Sequence, residues 1–156
     1  METLAWFEQT AFSIGVREIP WVFPFVLIVH SIAMGFAVGA ALAVDLRALG
    51  LAPGVRFEAI LRFLPTMWTA FVVNIFSGLI LLAGYPAKAL TNPVFYLKLA
   101  LLGGALWATQ RLTGFAARPA SRRSLAIASL LMWGGVIFAG RFLAYTHSVL
   151  LAYWEI

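Results

Sequence analysis

Four long apolar runs constrain this chain more than any other feature. They extend from Trp21 to Leu49, Leu64 to Gly84, Val94 to Arg111 (where the run turns polar) and Leu125 to Ala144. A helix crossing a bilayer needs about 20 apolar residues, whereas a barrel strand needs about 10 with strict alternation. None of the runs alternates, so each reads as a helix. Turn-forming residues fill the gaps: Gly50, Pro53 and Gly54; Tyr85-Pro86 and Asn92-Pro93; and Gly114 to Arg123 with Pro119. The expected architecture is an all-α, integral membrane four-helix up-down bundle forming one domain over 1–156. Its spans fall at about 20–49, 64–84, 94–111 and 124–146.

Composition closes off the alternatives. Of 156 residues, 63% are hydrophobic and 11% charged, and a soluble domain would carry about twice that charge. A soluble enzyme, a nucleic-acid-binding domain and a disulfide-stapled fold are thereby excluded. With no cysteine, iron–sulfur clusters, c-type haem attachment and thiol chemistry fall away as well. The net charge of +5 reports topology, and no nucleic-acid partner is expected. Arg47, Arg56, Arg62, Arg111, Arg118, Arg122 and Arg123 flank or occupy the first and third connectors. Only Arg17, Lys88, Lys98 and Arg141 belong to the other side. Basic residues mark the cytoplasmic face, so both termini are expected outside. An aromatic belt of Trp21, Tyr85, Tyr96, Tyr145, Tyr153 and Trp154 fits that orientation.

The first eighteen residues do not read as a signal peptide, since Glu2, Glu8, Arg17 and Glu18 interrupt them. Leu4, Phe7, Ala11 and Ile14 recur at helical spacing, which predicts an amphipathic helix over 1–18 lying in the outer interface. Residues 147–156 would form a periplasmic tail. Ser31, Gly35, Gly39 and Ala43 form a small-residue stripe suited to close packing within the bundle, with Gly103, Gly104, Gly135 and Ala139 acting similarly. All six acids look peripheral. Asp45 and Arg47 close the first span, where a local ion pair or a headgroup contact is the plain reading.

Polar groups at membrane depth are costly and point to function. Measured along each helix from its inner arginine at about 1.5 Å per residue, His30 lies about 25 Å up, Ser77 about 22 Å, Lys98 about 20 Å and Arg141 about 27 Å. All four thus share one layer near the outer face, although Lys98 and Arg141 could instead snorkel to the interface. A neutral imidazole with two nearby cations suits a haem and its propionates, or another anionic group. Met34, one turn beyond His30, is either core filler or a soft second ligand. His147, the only other histidine, lies about 36 Å up. Its joining His30 on one metal would need a strongly tilted helix or a folded-back tail. Asn74, in mid-membrane, is expected to hydrogen-bond between helices.

The segments Val16-Arg17-Glu18-Ile19-Pro20-Trp21-Val22-Phe23-Pro24, Val29-His30 and Val44-Asp45-Leu46-Arg47-Ala48-Leu49-Gly50-Leu51 resemble a family of small four-helix bacterial inner-membrane proteins of unknown function. Trp68-Thr69-Ala70-Phe71, Ser77-Gly78, Leu97-Lys98 and Gly140-Arg141 extend the resemblance to about Thr146. Where such proteins often carry Phe-His-Arg, this chain has Thr109-Gln110-Arg111, so an inner-side histidine ligand is missing. The family is distantly similar to copper-resistance-type and b-type cytochrome membrane proteins, a likeness of fold that implies a redox or metal role.

The leading expectation is a redox subunit of the bacterial inner membrane, multi-pass with N-out and C-out ends. It would bind haem b on His30, with Arg141 and Lys98 on the propionates and Met34 and Ser77 in the same site; His147, higher up, is a second candidate metal ligand or a surface contact for a periplasmic partner. Electrons would pass between a periplasmic or membrane protein partner and quinone. The alternative is an accessory subunit without cofactor, held by lipid and a partner complex or as a homo-oligomer. A copper-handling protein or small anion transporter ranks third.

Overall fold

The computed structural model describes residues 2–114 and 119–145, and among these every regular element is helical. In chain order they are α1 (Glu2–Glu8), α2 (Ala11–Glu18), α3 (Val22–Leu49), α4 (Phe57–Leu61), α5 (Leu64–Gly84), α6 (Pro86–Leu90), α7 (Pro93–Thr113) and α8 (Pro119–Tyr145). Proline punctuates the starts. It stands at the first position of α6, α7 and α8 and the second of α5, where no intrahelical N–H bond is lost. Asn92 caps α7, its side-chain oxygen accepting from Val94 N at 2.9 Å. α3 ends on Gly50, whose φ of 83° is left-handed. There Gly50 N bonds Arg47 O and Leu51 N bonds Leu46 O, satisfying two carbonyls that the helix end would otherwise leave open.

Three helices are long and apolar enough to cross a membrane: Val22–Leu49, Phe57–Gly84 and Arg122–Tyr145. α7 is a full helix of 21 residues, but Lys98, Gln110 and Arg111 hold its hydropathy below theirs. The distribution of side chains is inverted relative to a soluble protein. α8 buries Ala126, Ser129, Trp133, Val136 and Ala139 while exposing Leu131 (71%) and Phe138 (79%). In hydrocarbon the outward face must be apolar and the inner one small, because close backbone approach replaces the hydrophobic effect as the force between helices.

The chain groups into two compact units, Met1–Ala40 with Phe63–Thr91 and Ala41–Arg62 with Asn92–Ile156. In the first, the N-terminal segment departs from the single interfacial helix expected over 1–18. Thr10 divides it, accepting from Ser13 N (3.4 Å) and donating to Phe7 O (2.7 Å). The inward face of α2 is Ser13 and Val16, whereas Phe7 and Ala11 are exposed. Val16 seats against Gly84, where a Cβ would come within 3.0 Å of it. Arg17 locks the arrangement: its Nη2 donates to Glu8 O (2.7 Å), its Nη1 reaches Gly84 O (3.5 Å), and its guanidinium lies over the Tyr85 ring. Glu8 in turn accepts from Ala87 N at 3.2 Å.

In the second unit α7 and α8 pack closely on small residues. A Cβ on Gly104 would fall 2.7 Å from Met132 Sδ, and one on Gly135 would fall 2.9 Å from Leu101 Cδ1. Gly103, by contrast, meets nothing. Nor does the stripe expected to pack α3 do so. Ser31, Gly35 and Gly39 are exposed, and the buried row is Ala33, Ala37 and Ala41.

Candidate functional site

In the first unit the structure brings two of the singled-out residues together. His30 Nδ1 and Ser77 Oγ are 3.0 Å apart, α3 against α5. The Ser77 hydroxyl also lies 2.8 Å from Val73 O, one turn earlier in its own helix. A hydroxyl has one proton, and giving it to that carbonyl makes Ser77 the acceptor toward His30. With the proton so placed, Nδ1 is the ring donor and Nε2 carries the lone pair; with the proton turned to His30, the two nitrogens exchange roles. Asn74 supplies the expected interhelical bond, its Nδ2 donating to His30 O at 2.8 Å. Gly78 leaves room for the ring, since a Cβ there would stand 3.2 Å from His30 Cε1. His30 itself is half-buried, as is Met34 one turn further along α3.

Lys98 and Arg141 belong to the second unit. Lys98 is half-buried, with its Nζ lying 3.6 Å from where a Gly140 Cβ would be. Arg141 is exposed, and its guanidinium stands over the Tyr145 ring at 5.3 Å. His147 lies outside the described residues. Among the described residues, no group of three or more His, Cys, Asp or Glu side chains could hold a metal ion.

Asp45 overturns the reading of six peripheral acids. It is fully buried, and no ion pair with Arg47 forms, because Arg47 Nε donates to Val55 O at 2.8 Å. Position 45 continues the buried row Ala33, Ala37, Ala41 in steps of four, which was the available signal. A second buried polar pair, also unforeseen, joins the helices of this unit: Trp133 Nε1 donates to Thr109 Oγ1 at 3.2 Å. Comparison with protein-family models, curated proteins and solved structures finds no match for this chain.

Proposed function

We propose that the chain is a four-span protein of the bacterial inner membrane, with both termini periplasmic, serving as a redox subunit that holds a b-type haem on His30. Three helices with the required length and hydropathy support the membrane reading. α7 makes the fourth span, its Lys98 and Arg111 standing near opposite ends, where long aliphatic stems let the charges reach the headgroups. The arginine-rich connectors set the orientation.

The observation that carries the haem reading is the 3.0 Å contact between His30 Nδ1 and Ser77 Oγ. A histidine ligating a metal usually donates its other ring N–H to a fixed acceptor, which orients the ring and strengthens the donor nitrogen. Ser77, with its own proton on Val73 O, would be such an acceptor, which would leave the lone pair on Nε2, a usual ligating atom for haem iron. When bound, the haem would supply one-electron transfer. His30 would hold it, Ser77 would orient the imidazole, and Gly78 would keep the ring unhindered. The subunit would then relay electrons between a periplasmic partner and quinone.

Purified protein from haem-replete cells is expected to show a Soret band that His30→Ala abolishes with assembly intact. Absence of both the band and iron by elemental analysis would overturn the reading. The second reading, an accessory subunit without cofactor, is favoured by one observation: two polar groups of His30 tie α3 to α5. It predicts an unchanged spectrum and reduced assembly in the same variant.

A further inference from the structure

The buried acid of the second unit has no part in that reading. Asp45, in the last two turns of α3, and Ser129 of α8 are both 0% exposed, and the Ser129 hydroxyl faces the carboxyl. Neither carboxyl oxygen, nor the hydroxyl, meets a hydrogen-bond partner in good geometry. Nearly all buried polar atoms in folded proteins are partnered, so three orphans in one place require an explanation.

Among the described residues, no charged side chain of the surrounding elements supplies it. On α3, Arg47 is committed to Val55 O. On α4, Glu58 is exposed and lies 3.7 Å from Arg56, while Arg62 just beyond is also exposed. The sequences of α7 and α8 contain no acid. Their bases turn elsewhere: Lys98 lies against Gly140, Arg111 over Trp107 and Arg141 over Tyr145, and Arg122 and Arg123 are exposed. The buried hydroxyl of Thr109 in the same unit is occupied too, since it donates to Ala105 O and accepts from Trp133.

Lone pairs shut away from water call for something electropositive. A calcium or magnesium ion takes about six or more oxygen ligands, whereas this cluster offers the two of Asp45 and the one of Ser129. A proton needs two oxygens and no added volume. An isolated carboxylate in such surroundings is among the costliest groups to bury, and a neutral acid that donates a hydrogen bond is not.

We propose that Asp45 and Ser129 form a buried proton-binding site, with the proton on the carboxyl and its hydrogen bond received by the serine oxygen. Ionisation then depends on helix packing: the proton leaves only when α8 parts from the end of α3 and water enters. The proposal is independent of any group bound at His30.

Asp45 is the only aspartate in the sequence, so carboxyl-labelled carbon-13 aspartate reports this group in the full chain without substitution. In lipid vesicles at neutral pH, the infrared spectrum is expected to contain a neutral-acid carbonyl stretch that shifts with the label and with deuterium oxide. Ser129→Ala should move that band upward by removing its acceptor. A labelled carboxylate band alone overturns the proposal. So does an acid band seen in potassium buffer that disappears when sodium replaces it, since the occupant would then be a metal cation. An unmoved band in a folded Ser129→Ala protein removes serine from the site. Where that variant does not fold, the wild-type spectrum decides alone.

Discussion

In the first unit the polar groups of α3 are met from a neighbouring helix: the His30 imidazole by Ser77 and the His30 carbonyl by Asn74. In the second unit the same helix presents Asp45, which is more deeply buried and faces only the Ser129 hydroxyl, without a well-formed hydrogen bond. A hydrogen bond between helices in an apolar medium holds the pair together, while an unpartnered acid only adds a desolvation cost. Stability therefore accounts for the first arrangement and not for the second. A group that costs stability and persists is a candidate for function.

The harshest change in the second unit is to open the seam between α7 and α8. A valine at Gly135 would push into Leu101, with its Cβ already 2.9 Å from Cδ1. Overpacking of this kind costs about 1–3 kcal/mol, and Gly135→Val is expected near the upper end in equilibrium unfolding from mixed micelles. Next in size, and opposite in sign, is Asp45→Leu. Replacing an uncompensated buried acid by an apolar side chain of similar volume should stabilise the protein by about 2 kcal/mol. Destabilisation of comparable size in the same assay would mean that Asp45 has a stabilising partner beyond Ser129, and the contrast would fail.

Hydropathy located the helical spans closely because one apolar run corresponds to one helix. The run from Leu64 to Gly84 is α5 end for end, and Trp21–Leu49 differs from α3 by a single residue. It located α8 less well. The helix begins at Pro119, several residues before the apolar stretch, because Arg122, Arg123 and Ser124 are polar yet helical. It also missed the break at Thr10, where side-chain capping ends one short helix and begins the next. Counting from the inner arginines put His30 and Ser77 at similar depth, and in the structure they touch. The same counting misjudged Asp45, since an acid two residues from an arginine at a helix end resembles an interfacial pair. Steps of four also leave several parallel stripes on one helix. The glycine stripe of α3 attracted attention, yet the alanine row beside it is the one buried.

The satisfied half of the contrast can be sharpened by removing its bonds one at a time. Ser77→Ala strips the acceptor from His30 Nδ1, leaving a part-buried ring N–H without its protein partner at a cost of about 1–1.5 kcal/mol. If His30 carries a haem, the same variant should also shift its midpoint potential, because the hydrogen bond that orients the ring and raises its basicity is lost. A destabilised protein whose potential is unchanged would assign Ser77 to packing alone.

The smallest effect belongs to Asn74. The His30 carbonyl that it bonds has two lone pairs, and one is already used by the helix itself. Removing the side-chain donor therefore leaves no orphaned backbone acceptor. Asn74→Leu keeps the branching of the side chain and puts an apolar group into an apolar interface. The expected loss is then only that of one interhelical bond in a membrane, about 0.6 kcal/mol, read from the same micelle unfolding curves. A loss several times larger would mean that Asn74 holds more than the carbonyl, and that His30 is positioned by a network rather than by two separable bonds. Additivity distinguishes these cases. Two independent bonds give a Ser77→Ala, Asn74→Leu double variant whose cost equals the sum of the single costs within about 0.5 kcal/mol, and a network does not.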